Sequence, residues 1–277
     1  MMKYNSLLFI PANKERYLHN DKIHQADAII IDFEDSIISK DIRTNICIIN
    51  SIIKDISEPN IFIRIRQERY NEIIENINLD KVKGIMIPKF CLNGDNIRIL
   101  EDIEEIKKET LILIEDPKGL LDLEKTLVNY SVNGVCFGSE DYISELNAIR
   151  NKENLFYPRA SIVNITKAYK IKCYDTIFPY LNSDISFKEE VDTAYSMGFD
   201  GKMAIHPSQL EYINKRFKPD LDTINKYKKI IDLFYKNKKI NSTNVMTLDG
   251  EIIEPPHIKR YENIVKEFQK YGDGDNE

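Results

Sequence analysis

Two acidic segments follow apolar runs of the chain and have the residue types of a metal site. Glu115 and Asp116 follow LILI (111–114), and Asp141 comes at the end of GVCFGSED (134–141). A carboxylate at the end of a buried strand is costly unless something pairs with it. Carboxylates suit Mg²⁺, whereas the lack of a His-rich cluster argues against zinc. We therefore predict that Glu115 and Asp141 hold a divalent cation.

Two arginines at the end of another apolar run could bind an anionic group. Arg64 and Arg66 alternate with isoleucines, so their side chains are predicted to point to one face. A planar guanidinium suits a carboxylate or a developing enolate oxygen. An internal ion pair of Arg64 with Asp32 or Glu34 is an alternative, and the two roles are compatible.

Polar groups end most of the other apolar runs as well. They are Asp32, Glu34, Asp35, Lys89 after Pro88, Glu140, Asp175, Lys202 and His206. Such a series favours a ring of functional side chains at one mouth of a barrel. Solvated loop charges and interior ion pairs are the alternative. For His206, a satisfied histidine at the rim is at least as good an interpretation as a catalytic role.

Apolar runs alternate with segments of helical periodicity through most of the chain. Runs that are apolar on both faces are typical of a parallel sheet covered by helices. Eight strand–helix units in this length predict an α/β fold, the (β/α)8 TIM barrel. An open doubly wound sheet is the alternative, but no GxGxxG follows the first strand. The predicted strands are 6–12, 28–35, 61–66, 84–89, 111–116, 134–141, 173–178 and 201–207, and the predicted helices are 14–26, 41–56, 68–77, 94–108, 118–129, 158–170, 187–197, 208–216 and 221–237.

Composition and charge limit the classes of partner. The net charge of −6 and the lack of a long basic run argue against nucleic acid. No apolar run approaches the ~20 residues of a membrane span, and the first apolar run is too short for a signal peptide. The 4 cysteines form no CxxC pair, which favours free thiols in a reducing cytoplasm. We therefore expect a soluble, cytoplasmic protein.

A polar connection marks the predicted domain boundary. The segment KNKKINSTN (236–244) separates a barrel over 1–237 from a C-terminal segment over 238–277. The C-terminal segment is predicted to hold a short hairpin or loop and a helix. It could pack on a neighbouring subunit.

A set of motifs in the right order resembles one known family, the HpcH/HpaI aldolases. The resemblance is to their citrate lyase β-subunit-like branch, which includes malyl-CoA and citramalyl-CoA lyases. Together the motifs span residues 6–209, and the set is specific although each motif alone is weak. The motifs are SLLFIPAN (6–13), IIIDFEDSI (29–37), IRIR (63–66), GIMIPK (84–89), LIEDPKG (113–119), FGSEDY (137–142), PRASIV (158–163), YDTIF (174–178) and GFDGKMAIHPSQ (198–209).

The resemblance implies a fold, a cofactor and a reaction. Members have a TIM barrel, usually bind Mg²⁺ and are commonly trimeric or hexameric, so a homo-oligomer is expected. They cleave, or form, a carbon–carbon bond in a 3-hydroxyacyl thioester such as malyl-CoA or citramalyl-CoA, giving acetyl-CoA and a 2-oxo acid. The family's metal ligands fall on Glu115 and Asp141, and its substrate-binding arginine falls on Arg64. Glu34 and Asp35 are expected to orient Arg64 and metal-bound water.

The resemblance also bears on the form of the thioester. Citrate lyase β subunits use an acyl-carrier-protein thioester and often have Asn where this chain has His206, so the AIHP motif favours free CoA. Lys14 and Arg16 fall where the family contacts the CoA phosphates, although a basic helix start explains them equally well. Pro88 and Lys89, in the GIMIPK motif, are included in the expected substrate and CoA site.

Several departures from the family pattern bear on activity. The segment DGEIIEPPHIKR (249–260) resembles one that carries an acidic residue into a neighbouring subunit's site, but it has Glu254 where the family has Asp. Ala12 replaces a common Gly, and Arg66 stands where Asn is usual. A misplacement of ~1 Å can cost ~10²-fold in rate. A catalytically idle CoA-binding homologue is therefore an alternative to the lyase.

Overall fold

The chain is described by a computed structural model that covers residues 4–34, 42–57, 59–181, 183–241 and 244–271. Two compact units make up the chain, Met1–Phe217 and Lys218–Glu277. The predicted boundary at residue 237 lies inside a helix, Leu221–Asn241, that belongs to the second unit. This helix falls there because it packs on the C-terminal helix.

The first unit is a closed barrel of eight parallel strands in sequence order, which confirms the predicted fold. Each strand from the second onward pairs with the one before it, and the eighth pairs with the first. All carboxyl ends therefore meet at one mouth. The strands are β1 (Ser6–Pro11), β2 (Ala28–Asp32), β3 (Asn60–Arg64), β4 (Gly84–Ile87), β5 (Glu109–Ile114), β6 (Gly134–Phe137), β7 (Lys172–Asp175) and β8 (Gly201–Ala204).

Helices follow most of the strands and cover the outside of the barrel. Amphipathic sequences such as Ile42–Ile53 bury their isoleucine stripe and expose their polar face. The helices of this unit are α1 (Ile42–Ile53), α2 (Tyr70–Asn76), α3 (Gly94–Glu105), α4 (Pro117–Asn129), α5 (Ser139–Glu145), α6 (Lys152–Ala168), α7 (Asp184–Met197) and α8 (Leu210–Phe217).

One predicted α-helix is replaced by 3-10 helices in the structure. Residues 14–26 form two short 3-10 helices, Glu15–His19 and Asp21–Gln25, rather than one α-helix. Asn20 separates them in an extended conformation, with φ −85° and ψ 117°. Its side chain accepts a hydrogen bond from the backbone N–H of Lys22 at 3.0 Å, so it starts a new turn instead of continuing the old one.

The barrel wall separates two apolar layers. Residues that alternate along the strands face either the interior or the helices, because side chains of a strand point to opposite faces in turn. The interior layer consists of Tyr4, Leu7, Ala28, Ile30, Phe62, Met86, Leu111, Leu113, Cys136, Tyr174 and Met203. The larger outer layer lies between the strands and the helices and is rich in isoleucine.

The second unit contains two helices and a hairpin. Helix α9 (Leu221–Asn241) is followed by the antiparallel strands β9 (Met246–Leu248) and β10 (Glu251–Ile253), and then by α10 (Pro255–Tyr271). A small core joins them, in which the rings of Tyr227 and Tyr261 stack at 4.4 Å. The hairpin and the helix predicted for the C-terminal segment are both present. In the part of the chain described, no helix is long and apolar enough to cross a membrane.

The interior layer can be tested through Phe62. Its buried ring lies edge-on to Tyr4 at 5.5 Å, and a Cβ on Gly84 would come within 2.5 Å of it. Phe62→Ala should therefore lower the free energy of unfolding by about 3–5 kcal/mol, because it opens a cavity in a packed layer. Urea denaturation measures the change.

The matched control is Phe156→Ala, because Phe156 is 63% exposed on α6. This substitution should change the free energy of unfolding by no more than about 0.5 kcal/mol. Equal effects of the two substitutions would contradict the assignment of the interior layer.

Candidate active site

A single guanidinium is fixed at the mouth by two neighbouring strands. Strands β2 and β3 pair with Asp32 opposite Arg64. Arg64 Nε donates to Asp32 Oδ1 at 2.7 Å, and its Nη1 lies 3.0 Å from Glu34 Oε2. The guanidinium carbon lies 5.1 Å from the centre of the Phe9 ring. These contacts hold the arginine in one orientation and place it against the barrel cavity.

The surroundings of Arg64 keep it charged. Burial alone would lower the pKa of its guanidinium. The hydrogen bond to Asp32 and the attraction of Asp32, Glu34 and Glu115 outweigh burial, so the pKa lies above its ordinary value. Arg64 therefore presents a permanent, fixed positive charge to the cavity. Its pairing with Asp32 and Glu34 is the internal ion pair that the sequence left as the alternative role.

Glu115 is a buried carboxylate beside this guanidinium. It follows the last residue of β5, is 5% exposed, and has Oε1 4.0 Å from Arg64 Nη1. Its Oε2 accepts the backbone N–H of Lys89 at 2.8 Å. A Cβ on Gly138 would lie 2.5 Å from Glu115 Cγ and 2.8 Å from Oε1. The glycine after β6 thus leaves the space that the carboxylate occupies.

Burial, together with charge repulsion, makes this carboxylate hard to ionise. Burial and the nearby Glu34 raise the pKa of Glu115 to about 8, with a smaller contribution from Asp141. Arg64 and the Lys89 N–H act in the opposite direction without reversing the shift. A divalent cation at this position would favour the ionised carboxylate, because it offsets both the repulsion and the loss of hydration.

The segment after β4 lies beside Glu115. Lys89 has a positive φ of 45°, which is uncommon for a residue with a side chain and turns its N–H to Glu115. Its ammonium group lies 3.2 Å from Glu34 Oε1. Pro88 is buried, and its carbonyl accepts from the Gln67 amide at 3.1 Å. Lys89 thus contacts two carboxylates of the mouth, while Pro88 supports the turn.

Asp141 lies in the first turn of α5 rather than at the end of a strand. Strand β6 ends at Phe137 and the helix begins at Ser139, so the predicted strand over 134–141 is four residues too long. Asp141 is partly exposed. Its carboxylate nevertheless belongs with Glu115, because the two residues line the same cavities.

Two adjoining cavities share these carboxylates. One, of about 300 Å³, opens over the barrel mouth and is also lined by Phe9, Asp32, Arg64, Thr176 and Ile205. The other, of about 560 Å³, extends past Lys89 toward Ser144 and Glu145. Among the described residues, no group of three or more His, Cys, Asp or Glu is arranged as a metal site. A cation held by Glu115 and Asp141 would have two carboxylates with water or substrate oxygens, a donor set that fits Mg²⁺.

The other predicted site residues are placed as follows. Lys14 and Arg16 are exposed on the segment after β1. His206 is exposed, and its Nδ1 accepts the backbone N–H of Ser208 at 3.2 Å, as a helix cap does. Glu254 is exposed in the second unit, directly before α10. Asp35 lies outside the described residues.

Two residues predicted as part of the mouth do not belong to it. Asp175 and Lys202 are fully buried and form an ion pair of 2.8 Å. Their neighbours Tyr174 and Met203 face the barrel interior, so alternation turns Asp175 and Lys202 outward, toward the helices. Arg159 on α6 completes the pair, with Nε 2.8 Å from Asp175 Oδ1. This is the interior ion pair that the sequence left as the alternative.

Several cavity residues were missed by sequence reasoning. Phe9 and Met203 supply apolar walls, and Ser139 and Thr176 add hydroxyl groups. Strand alternation offered a signal for Phe9 and Met203. Gly138 and Glu115 follow different strands, so the spacing of residues along the sequence does not indicate that they are in contact.

Comparison with known proteins assigns this barrel to a family. The sequence profile of HpcH/HpaI aldolase/citrate lyase matches residues 5–207. The chain therefore belongs to this family, as the motifs predicted, and it is a carbon–carbon lyase by family.

Individual relatives match over nearly the whole chain. Citrate lyase subunit beta of Haemophilus influenzae is 26% identical over 94% of this chain and 95% of its own length. The mitochondrial citramalyl-CoA lyase of Rattus norvegicus is 24% identical over 94% of this chain and 84% of its own. The protein CitE from Mycobacterium tuberculosis, solved in complex with magnesium, acetoacetate and coenzyme A, has a TM-score of 0.78 and 18% identity. That match covers 96% of this chain and 98% of the CitE chain.

The space that Gly138 leaves can be tested directly. Gly138→Ala should displace the Glu115 carboxylate, because the added methyl would lie 2.8 Å from its Oε1. A displacement of ~1 Å predicts a loss of lyase activity on the order of 10²-fold. Steady-state kinetics measures the loss. Gly94→Ala is the control, since nothing lies within 4 Å of its Cβ position, and it should retain full activity.

The raised pKa of Glu115 predicts a pH dependence of stability. With EDTA present, the folded protein keeps a proton on Glu115 up to about pH 8, whereas the unfolded chain loses it near the ordinary value of 4.5. The free energy of unfolding should therefore fall as pH rises between these values, by up to about 1.4 kcal/mol per pH unit from this group. Glu115→Gln cannot lose the proton and should show a shallower fall in urea denaturation. Identical slopes for the two proteins would contradict the assignment.

Proposed function

We propose that this protein is a Mg²⁺-dependent lyase that cleaves, or forms, a 3-hydroxyacyl-CoA such as citramalyl-CoA or malyl-CoA. The products of cleavage would be acetyl-CoA and a 2-oxo acid. The observation that carries the proposal is the buried Glu115 beside the fixed guanidinium of Arg64, at the mouth where Asp141 also lies. The family assignment and the citramalyl-CoA lyase among its relatives support this class of substrate.

The residues of the mouth suit the two halves of such a substrate. Glu115 and Asp141 would hold the cation on the side of the 2-hydroxy acid. Magnesium, when bound, supplies Lewis-acid polarisation of the hydroxyl and carboxylate oxygens of that half. Arg64 lies 4.0 Å from Glu115, so its guanidinium is within reach of the thioester half.

Cleavage breaks the bond between the hydroxyl-bearing carbon and the carbon next to the thioester. The hydroxyl gives its proton to solvent water at the open mouth and becomes the carbonyl of the 2-oxo acid, while the electron pair of the broken bond passes to the thioester as an enolate. Arg64 stabilises the enolate oxygen, because its charge is fixed in advance by Asp32 and Glu34. A carboxylic acid then protonates the enolate carbon, giving the acetyl thioester. By resemblance, that acid is Glu254 of a second copy of the chain.

Wall residues would complete the fit. Phe9 and Met203 offer an apolar surface to the acyl chain, and Ser139 and Thr176 offer polar groups nearby. Lys89, which is half exposed and lies 3.2 Å from Glu34, would attract the negative charges of the substrate at the cavity entrance. Lys14 and Arg16 would meet the CoA phosphates.

A related reaction is the alternative. Citrate lyase subunit beta of Haemophilus influenzae is 26% identical to this chain, which favours an acyl-carrier-protein thioester as a second candidate substrate. The two substrates place the same reacting atoms at the mouth and differ in what carries the thioester. Cleavage only of the carrier-bound thioester would select this alternative.

Substitution of the proposed ligands tests the lyase. Glu115→Gln and Asp141→Asn should each lower the rate of citramalyl-CoA or malyl-CoA cleavage with Mg²⁺ by at least about 10²-fold, because each removes a carboxylate from the cation. Release of the 2-oxo acid, coupled to its reduction, measures the rate. Arg64→Lys keeps the positive charge but cannot contact Asp32 and Glu34 through separate nitrogens of a planar group, so it should also lower the rate.

Glu145→Gln is the control. This residue borders the second cavity and is exposed, so its substitution should leave the rate nearly unchanged. Undiminished cleavage by Glu115→Gln and Asp141→Asn would exclude the assigned ligands. CoA binding without turnover of any thioester would point instead to an idle homologue.

A further inference from the structure

A second cluster of buried charges lies outside the barrel wall, and the proposed cleavage does not use it. Its centre is Glu190 on α7, which is 9% exposed. Glu190 Oε1 lies 2.9 Å from Lys202 Nζ and 3.4 Å from Arg159 Nη2. Its Oε2 lies 3.0 Å from Nη2 of Arg150, in the loop between α5 and α6. One carboxylate thus joins cations from a strand, a helix and a loop.

One arm of this cluster reaches the mouth through β7. Lys202 Nζ donates to the backbone carbonyl of Thr176 at 2.6 Å. The Thr176 hydroxyl donates to Ser139 Oγ at 2.8 Å and accepts the backbone N–H of Ser139 at 3.1 Å. Ser139 is the first residue of α5. The buried lysine is therefore linked to the start of the helix that carries Asp141.

The other arm reaches the same helix through Arg150. Its Nε donates to Glu140 Oε1 at 2.6 Å, and its Nη2 donates to the carbonyl of Ile177 at 3.3 Å. The side chain of Arg150 is only 13% exposed, whereas Glu140 is about half exposed, so water reaches the bond from the Glu140 side only. The two arms together hold Ser139 and Glu140, the two residues that directly precede Asp141.

We propose that Arg150 is a positioning residue for the cation site. Anchored on Glu190, it fixes the first turn of α5 and with it the direction of the Asp141 carboxylate. Arg150 itself is not among the residues that line either cavity of the mouth, so it acts through α5. This inference rests on the proposed function, because it gives Asp141 the role of a cation ligand.

Whether substitution of Arg150 weakens or strengthens Mg²⁺ binding distinguishes a positioning role from a purely electrostatic one. Loss of the Arg150 charge removes a positive group near the cation site, so Coulomb repulsion alone predicts tighter Mg²⁺ binding. Loss of a positioning contact predicts weaker binding, because the Asp141 carboxylate is no longer held in place. Supporting residues around metal ligands typically contribute about 10–100-fold to metal affinity or activity.

The test is Mg²⁺ titration of Arg150→Gln by isothermal calorimetry. The expected result is a dissociation constant at least about 10-fold above that of the unsubstituted protein. The variant should fold, because Glu190 keeps Lys202 and Arg159 as partners. Thermal denaturation checks the fold.

The matched control is Lys167→Gln, which also removes one cation from a buried carboxylate that keeps another. Lys167 pairs with Asp200 at 2.5 Å, and Asp200 keeps Lys172 at 3.2 Å. Asp200 directly precedes β8, so this pair lies at the end of the barrel opposite the mouth. The control should leave the Mg²⁺ affinity unchanged.

A second readout separates this inference from the proposed function. Hydrogen exchange with EDTA present follows the amides at the start of α5, which should exchange faster in Arg150→Gln than in Lys167→Gln. Unchanged or tighter Mg²⁺ binding by Arg150→Gln would overturn the positioning role. If the unsubstituted protein binds no Mg²⁺, the proposed function fails, and unchanged exchange at α5 then overturns the positioning role separately.

Discussion

The burial of Glu115 is the constraint around which the barrel mouth is arranged. A desolvated carboxylate near two other acidic groups is unfavourable in its ionised form, and here its pKa is raised to about 8. The neighbouring structure relieves only part of this cost. Arg64 lies 4.0 Å away but is shared with Asp32 and Glu34, and Lys89 offers its N–H from a positive-φ conformation. A bound cation would supply the missing positive charge.

The two buried charge clusters differ in balance, and the difference separates their roles. At the mouth, the buried carboxylates Asp32, Glu34 and Glu115 face one buried guanidinium, Arg64. The half-exposed Lys89 and the partly exposed Arg66, which donates to the Glu34 carbonyl at 2.6 Å, lie at the edge. The outer cluster sets Lys202, Arg159 and Arg150 against the buried Asp175 and Glu190, and Arg150 also pairs with the exposed Glu140, which lines the mouth cavity. Within this cluster the pKa of Asp175 lies below its ordinary value, because Arg159 and Lys202 outweigh the effect of its burial. A balanced cluster stabilises its own charges, whereas an excess of negative charge at a cavity suits a cation, which can in turn hold an anionic substrate.

The sequence allowed prediction of those features that depend on the pattern of neighbouring residues, namely the barrel and several residues of its mouth. Apolar runs followed by helical periodicity gave eight strand–helix units, and the motifs gave the family. The outward orientation of the Asp175 and Lys202 side chains was not predicted. It follows from strand alternation, because the neighbouring Tyr174 and Met203 face the barrel interior. The helix expected over 14–26 failed because Asn20 starts a new turn, a choice made by one side chain. The fit of Gly138 to Glu115 depends on the approach of two strands, which residue spacing does not encode.

Glu115 and Asp141 are proposed to hold a divalent cation at the barrel mouth. A crystal soaked with Mn²⁺ and a 2-oxo acid tests this assignment most directly, because Mn²⁺ suits the same oxygen ligands as Mg²⁺ and gives an anomalous signal. We expect one anomalous peak within about 2.0–2.3 Å of a carboxylate oxygen from each residue, with the 2-oxo acid beside Arg64. An anomalous peak elsewhere, or a 2-oxo acid bound away from these three side chains, would contradict the assignment of Glu115 and Asp141 as cation ligands.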